Sequence, residues 1–167
     1  MSRSLRPWLQ QRIQDGLNQD AASDLASDHT FAPGSRVQIM RVRKSLTQFL
    51  TFRPEHAPDS AVDIWAQVCD QTHYIAARFT SSCVDAFQTS SPYLRLTQMR
   101  GAIIAVERCR LTRAKVHVQC DGSPWSNISP PTTVLDIDGF ALLGGIGEPV
   151  HSGHIRDVTY GYDPCTK

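Results

Sequence analysis

The chain of 167 residues has a mass of 18.6 kDa, which suits one compact domain. It carries 17 lysines and arginines against 16 aspartates and glutamates, a formal net charge of +1, which excludes nucleic-acid binding driven by total charge alone. Hydrophobic residues make up 41%, which excludes a disordered chain, and no apolar run reaches the length of a membrane span.

Neither the cysteines nor the histidines show the spacing of a disulfide framework or a metal site. The five cysteines are odd in number and form no CxxC pair, and the opening residues lack the apolar segment of a secretory signal. We therefore expect free or buried thiols in a reducing compartment. His151 and His154 are close in sequence, but no third ligand lies near them, so we expect no metal and no cofactor.

The first predicted element is an amphipathic helix over Leu5–Leu17. Its apolar residues recur every three or four positions, as on one face of a helix: Leu5, Trp8, Leu9, Ile13 and Leu17. Pro7 suits the first turn of this helix, and Gly16 suits its end. The polar and acidic residues 18–35 that follow predict a loop.

Strand patterns begin after this loop. Residues 37–52 predict one long strand with a bulge near Met40, where the alternation of apolar residues slips. Residues 62–80 predict a hairpin whose turn is Asp70–His73. The serines after this hairpin predict the start of a short helix over residues 81–87.

Three further strand patterns cover residues 101–111, 114–120 and 132–144. The segment at residues 121–131, rich in Gly, Pro and Ser, predicts a loop between the last two. The short helix follows the third strand, and a helix at that point of a five-stranded antiparallel meander is the arrangement of an OB fold.

We therefore predict an all-β, five-stranded OB-fold barrel with an N-terminal helix and a short helix between strands 3 and 4. Residues 1–144 would form this domain, and residues 145–167 would form a flexible C-terminal tail. An SH3-like barrel or an α+β sandwich is the alternative architecture.

Four segments resemble, in the same order, motifs of the telomeric OB-fold adaptor family. LRPWLQQRIQDGL resembles its opening "RPW" helix, and VDIWAQVCDQTHYIAARFTSSCVDAF resembles its unit of strand, Asp, turn, His, strand and helix. RGAIIAVERC and VLDIDGFALLG resemble its fourth and fifth strands. The family comprises the shelterin adaptor (the adrenocortical dysplasia protein homologue and its fungal relatives) and the yeast ever-shorter-telomeres telomerase subunit. The likeness spans residues 5–144.

The resemblance implies a non-catalytic nuclear protein that acts at the telomeric region of chromosomes. It would recruit telomerase and stimulate it through protein–protein contacts. Its partners would be the telomerase catalytic subunit with its accessory proteins and a telomeric single-strand-binding protein, with weak or no direct DNA binding and no membrane. The sequence itself also favours a non-catalytic protein, because the chain has neither a GxSxG nucleophile motif nor a phosphate-binding GK[ST].

Site residues carry over from the family one by one. Trp8 matches the motif tryptophan, Asp70 matches the turn aspartate, and Asp136 and Asp138 match the "DID" of the last strand. The loop Thr89–Arg100 departs from the acidic stretch of the animal adaptor, because it carries arginines and no acid. The predicted telomerase-binding patch comprises Trp8, Asp70, Arg95, Arg100, Asp136 and Asp138.

Each of these matches also has an interpretation that involves no partner. Trp8 can anchor the helix on the barrel, and Asp70 can cap its hairpin turn through backbone N–H groups. Asp136 and Asp138 are two residues apart on one strand and so share a face. If the apolar residues that alternate with these two aspartates face the core, both carboxylates point outward. They would then contact either a partner or solvent.

A basic stripe supports a second hypothesis, an OB-fold protein that binds single-stranded nucleic acid. Its contacts would be Arg108, Arg110, Arg113 and Lys115, near one acid, Glu107. Aromatic residues, which such surfaces interleave with basic ones, are sparse here. The isolated domain should therefore bind telomeric single strands only in the range of about 10⁻⁴ to 10⁻⁶ M. A third hypothesis is a barrel that binds other proteins without a telomeric role.

Overall fold

The computed structural model describes residues 5–20, 29–30, 35–44, 64–114, 117–118, 127–128, 132–150 and 156–157. The helices are α1 (Leu9–Asp20), α2 (Ser81–Ser90) and a single 3-10 turn (Leu96–Gln98). The strands are β1 (His29–Thr30), β2 (Arg36–Lys44), β3 (Ile64–Cys69), β4 (His73–Phe79), β5 (Ile103–Ala114), β6 (His117–Val118), β7 (Asn127–Ile128), β8 (Thr132–Gly144) and β9 (Arg156–Asp157).

Five strands close into a barrel. Going round it, β2 pairs with β3, β3 with β4, β4 with β8, β8 with β5, and β5 returns to β2. The β4–β8 pair is parallel and the other four pairs are antiparallel. With α2 between the third and fourth barrel strands, this confirms the predicted OB fold.

The barrel encloses one hydrophobic core, because every second residue of its strands points inward. In β3 the buried residues Ile64, Ala66 and Val68 alternate with half-buried Trp65 and Gln67. The other strands and both helices add apolar side chains to this core: Val37, Ile39, Ile75, Phe79, Ile104, Val106, Leu135, Ile137, Leu9, Ile13, Val84 and Phe87. The outward residues of the same strands are therefore the ones available for function.

The bulge predicted in the first barrel strand is present. The β2–β3 register shifts between Ile39 and Arg41, so Met40 has no partner in β3. This extra residue explains why the apolar alternation slips at Met40. The part of the predicted strand at residues 45–52 lies outside the described residues.

The two helices differ from the predicted bounds at their ends. α1 begins at Leu9 rather than Leu5, so Pro7 precedes the helix instead of lying in its first turn. Gly16 does not end it, because a glycine inside a helix costs only about 1 kcal/mol and the helix is held by buried Leu9 and Ile13. The short helix is confirmed, although it extends to Ser90.

Strands also occur in segments predicted as loops. β1 pairs with Cys109 and Arg108 of β5, and β7 pairs with β6, so residues 18–35 and 121–131 each contain a two-residue strand. The strand predicted over 114–120 has β6 as its described portion, and β5 itself continues to Ala114. Two residues are too few to give a period, which is why the pattern missed these pairs.

The first residues after β8 lie against the barrel. The Gly147 N–H donates to the Arg100 carbonyl at 2.8 Å, and the Gln38 side-chain amide donates to the Pro149 carbonyl at 3.1 Å. Further along, β9 pairs with the start of β4. The domain boundary at residue 144 and the flexible tail stay predictions, but these described parts of the tail are in contact with the domain.

Candidate functional site: the outer face of the barrel and its loops

The start of α1 is tied to the hairpin turn by a buried carboxylate. Asp70 is 0% exposed, and its Oδ2 accepts the backbone N–H groups of Trp8 at 2.6 Å and Leu9 at 2.8 Å. Its Oδ1 accepts the backbone N–H groups of Thr72 at 2.7 Å and His73 at 2.8 Å. One side chain therefore caps the hairpin turn, as predicted from its chemistry, and also the helix start, which the sequence did not indicate.

Trp8 lies half-buried at this junction. Its ring packs against the hydrophobic core, and its Nε1 donates to the Arg36 carbonyl at the start of β2, at 2.9 Å. The indole thereby fixes α1 on the barrel. This is the anchoring role that its size suggested.

A row of polar and aromatic side chains crosses four strands on the outer face. Trp65 pairs with Arg78, Arg78 with Asp136, and Asp136 with Arg110, in β3, β4, β8 and β5 respectively. The Arg78 guanidinium donates through Nε and Nη2 to the two oxygens of Asp136, at 2.8 and 2.6 Å. Its Cζ atom lies 5.6 Å from the Trp65 ring centroid, within cation–π range.

The expectation that Asp136 offers an exposed carboxylate is wrong. Its side chain is 0% exposed, although it lies on the outer face as its parity predicted. Arg78 in β4 and Arg110 in β5 contact it from the two neighbouring strands, with Arg110 Nε 3.6 Å from its Oδ2. A carboxylate between two guanidinium groups is stabilised by hydrogen bonds and opposite charge, so the arginines are what a partner would meet.

Asp138 lies further along β8, where α2 begins. Its Oδ1 accepts from the hydroxyls of Thr80 at 2.8 Å and Ser82 at 2.9 Å, and Arg108 Nη2 is 3.9 Å from its Oδ2. The Thr80 hydroxyl also accepts the Cys83 N–H as the N-cap of α2. The hydrogen bonds from Thr80 and Ser82 hold the pKa of Asp138 below its usual value, so this half-exposed carboxylate is charged at neutral pH.

The loop between α2 and β5 has a fixed backbone and exposed side chains. The Gln88 side-chain amide donates to the Leu94 carbonyl at 3.1 Å, and Leu96 of the 3-10 turn is buried. Against this support Tyr93 is 96% exposed, and Arg95 and Arg100 are exposed as well. The loop thus presents one aromatic and two basic side chains on an ordered support.

The structure divides the predicted patch into separate groups. Trp8 and Asp70 lie beyond the first residue of β4, whereas Asp136 pairs near its last residue. Five residue steps along β4, from His73 to Arg78, separate these groups by about 17 Å. Asp136 and Asp138 instead contact Arg110 and Arg108, which the sequence assigned to nucleic acid. Of the other two basic residues, Arg113 is exposed on β5 and Lys115 lies outside the described residues.

Sequence reasoning missed Trp65, Arg78 and Thr80. Trp65 and Arg78 alternate with buried residues, so their outward direction was readable from the pattern. Their contact with the last strand depends on the parallel pairing of β4 and β8, for which no local signal exists. Thr80 directly precedes the serines that were read as the helix start.

Buried thiols contribute to the core rather than to a site. Burial raises the pKa of Cys69 to about 11 and that of Cys83 to about 12, and it also raises the pKa of Cys109. These three thiols are therefore protonated and unreactive at neutral pH. Among the described residues no group of three or more His, Cys, Asp or Glu side chains could hold a metal ion. No helix in the described part of the chain is long and apolar enough to cross a membrane.

Comparison with known proteins identifies the family. Residues 5–143 match the model of the TPP1/ACD family, described as a shelterin complex subunit, and this match includes four barrel strands whole and β8 up to its penultimate residue. The chain belongs to this family. It is a telomere-associated OB-fold protein, and the predicted resemblance is confirmed.

A solved structure has the same fold. The Est3 telomerase subunit of the yeast Hansenula polymorpha matches with a TM-score of 0.55 and 14% sequence identity, over 94% of this chain and 80% of that chain. At this level of identity the match shows a common fold. A search of curated proteins found no match.

Proposed function

We propose that this domain is a non-enzymatic adaptor that recruits telomerase to chromosome ends in the nucleus and stimulates it through protein contacts. The family match across residues 5–143 supports this role, because it covers the barrel except for the last residue of β8. The yeast structural neighbour is a telomerase subunit, which is in line with this role. The partners would be the telomerase catalytic subunit with its accessory proteins, and a telomeric single-strand-binding protein that supplies most of the DNA affinity.

The observation that carries the proposal is the loop Thr89–Arg100. An aromatic ring that is 96% exposed beside arginines, on a backbone held by Gln88 and buried Leu96, has the composition and rigidity of a binding hot spot. Binding to such a loop loses little conformational entropy, because its backbone is already ordered. We define this loop surface by Tyr93, Arg95 and Arg100.

The other residues of the predicted patch take different roles in this proposal. Trp8 would contribute from its half-buried position at the start of α1, and Asp138 would offer a charged, half-exposed carboxylate at the start of α2. Asp70 and Asp136 are wholly buried, so they act by holding α1 and the arginine row in place. Loss of either would reduce telomerase binding through the fold.

The test is telomerase co-precipitation with Arg95→Glu and Arg100→Glu variants, alongside a thermal melt. Both residues are exposed, so the free energy of unfolding should change by no more than about 0.5 kcal/mol while capture is lost. Arg113→Glu, the same charge reversal at an exposed position of β5, is the control and should capture telomerase normally. Full capture by both loop variants with normal melting would show that telomerase does not use this loop.

A further inference from the structure

The residue that ends α2 is a serine followed directly by a proline. The Ser91 N–H donates to the Phe87 carbonyl at 2.8 Å, and the Ser91 carbonyl accepts the Leu94 N–H at 3.0 Å, so Ser91 both caps the helix and begins a turn. Pro92 suits the second position of this turn and prevents the helix from continuing. The serine and the proline are therefore presented together on the loop Thr89–Arg100.

The Ser91 hydroxyl differs from the two hydroxyls that precede it. Thr89 Oγ1 donates to the Asp85 carbonyl at 2.9 Å, and Ser90 Oγ donates to the Phe87 carbonyl at 3.0 Å, so the helix occupies both of them. Within the described part of the chain the Ser91 hydroxyl makes no hydrogen bond, and this residue is only half-buried. Its oxygen can therefore react without the loss of a native hydrogen bond.

A serine followed by a proline is the minimal sequence that proline-directed protein kinases recognise. The chain contains three such pairs, and Ser91–Pro92 is the one that lies within the described structure, whereas Ser123 and Ser129 lie outside the described residues. The two residues that follow Ser91 are exposed, and Tyr93 is 96% exposed. The side chains that such a kinase reads after the serine are thus in solvent.

A phosphate on Ser91 would change the charge of the surface around it. The charged residues within the loop Thr89–Arg100 are its two arginines, Arg95 and Arg100. Two exposed acids border them, Asp85 in α2 and Glu148 beside the end of the loop, so the unmodified surface is close to neutral. A phosphoserine adds a charge of about −1.5 to −2 and makes the surface negative.

We propose that Ser91 is a phosphorylation site for a proline-directed protein kinase, and that its phosphate weakens telomerase docking on the loop surface. The Ser91 Oγ forms a bond to the γ-phosphorus of ATP, the bond from that phosphorus to the bridging oxygen of the departing ADP breaks, and the hydroxyl proton passes to the catalytic aspartate of the kinase. The effect on docking rests on the proposed function. Arg95→Glu adds negative charge to the loop, and a phosphate four residues earlier acts in the same direction.

The turn after α2 has to open during this reaction, because a kinase binds its substrate in an extended conformation. The turn is held by the hydrogen bond from the Leu94 N–H to the Ser91 carbonyl, and by the Gln88 side-chain amide, which donates to the Pro92 carbonyl at 3.4 Å and to the Leu94 carbonyl at 3.1 Å. Opening exchanges these bonds for bonds to water. Gln88→Ala should therefore speed phosphorylation about two- to tenfold, the effect of one such bond on the open population.

The test uses the full chain, ATP and two proline-directed enzymes, a cyclin-dependent and a mitogen-activated protein kinase, with the modified residues mapped by mass spectrometry. Phosphate should enter Ser91, and Ser91→Ala should remove that signal. Pro92→Ala keeps the hydroxyl and loosens the turn, yet it should slow the reaction at Ser91 at least about tenfold, because the kinase pocket loses the proline ring. The matched control is Ser81→Ala, which removes an exposed serine that no proline follows and should leave the signal at Ser91 unchanged.

Three results would contradict the proposal. With neither kinase placing phosphate on Ser91, the site would not exist. Equal rates for wild type and Pro92→Ala would mean that the proline is not recognised. A rate in Gln88→Ala no higher than in wild type would mean that opening of the turn does not control the reaction.

Telomerase co-precipitation separates this proposal from the docking proposal. It uses the Ser123→Ala/Ser129→Ala background, in which Ser91–Pro92 is the remaining Ser–Pro pair. The phosphorylated chain should capture telomerase at least about tenfold less than the untreated chain. Kinase-treated chain that also carries Ser91→Ala should capture it normally.

The two proposals fail in different ways. If the phosphorylated chain captured telomerase normally while Arg95→Glu did not, the docking surface would stand and the effect of the phosphate would be refuted. If Arg95→Glu also captured telomerase normally, the docking proposal would fail together with that effect, whereas phosphate incorporation at Ser91 would still support the modification site.

Discussion

The Asp70 carboxylate accepts the Trp8 backbone N–H at 2.6 Å, and this bond joins the first helix to a turn 62 residues later in the chain. The same carboxylate accepts three further backbone N–H groups, from Leu9, Thr72 and His73. A motif aspartate that looks like a surface contact is thus a buried junction of helix, turn and barrel.

Asp70→Ala should destabilise the domain by about 3–5 kcal/mol, because four N–H donors lose their acceptor at a buried site. Urea denaturation followed by circular dichroism measures this. Asp85→Ala, at an exposed position of α2, is the control and should change stability by less than about 0.5 kcal/mol. If Asp70→Ala melted like wild type yet lost telomerase, Asp70 would be a direct contact instead.

Arg78→Gln should cost about 2–3 kcal/mol. Removing one partner of a buried ion pair costs about 3–5 kcal/mol, and Arg110, 3.6 Å from Asp136, compensates for part of it. Arg108→Gln removes the same charge from an exposed pair with Asp138 and should cost less than about 1 kcal/mol. Chemical denaturation of both variants compares them directly, and equal costs would argue against the buried pair as the source of stability.

Thr80→Ala should weaken the α2 cap and raise the pKa of Asp138. Loss of an N-cap hydroxyl costs about 1 kcal/mol, and Thr80→Ser, which keeps the hydroxyl, should cost little. In the folded state the pKa of Asp138 lies below its unfolded value, so this carboxylate stabilises the fold at neutral pH. That contribution is lost as pH falls through the folded pKa.

The alanine variant should therefore show a smaller loss of stability between neutral and acid pH than wild type. NMR titration of the Asp138 carboxyl carbon, with denaturation at several pH values, measures both effects. If the pKa of Asp138 were unchanged in Thr80→Ala, Ser82 or Arg108 would be the cause of its lowered value.

Gly101→Ala should destabilise the domain by about 3 kcal/mol or more. Its φ of +86° is unfavourable for alanine, and the added Cβ would clash with the backbone carbonyl oxygen of Glu148. Gly147→Ala is the matched control, because its φ of +77° is also positive but nothing lies within 4 Å of the added Cβ. It should cost about 1 kcal/mol.

The difference in stability between these two variants measures how much the contact of residues 145–150 with the barrel contributes to the fold. Limited proteolysis should cut this segment faster in Gly101→Ala than in Gly147→Ala. If the two variants were cleaved at the same rate and were equally stable, residues 145–150 would be able to move away from Gly101 without loss of stability.

The sequence was sufficient for the barrel because burial of one strand face imposes alternation, as Ile64, Ala66 and Val68 show. It even located the bulge at Met40. The sequence was insufficient for the site. Asp136 contacts Arg78, 58 positions away, and Arg110, 26 positions away, and the pairing of the strands is what brings them together. The parity of Asp136 was read correctly, but no periodicity describes its burial or its ion pairs with two arginines.

Closure of the barrel also sets the order in which the chain can fold. β4 is paired on one side by its hairpin neighbour β3, but its other neighbour, β8, lies more than 50 residues later. β5 likewise cannot complete its pairing until β8 has been synthesised, because these two strands form the longest ladder of the described structure. During synthesis the hairpin can therefore form early, while the core stays open until residues 132–144 have left the ribosome. Such long-range pairing is slow, in the range of milliseconds to seconds, and it leaves the free edge of β4 exposed to misfolding meanwhile.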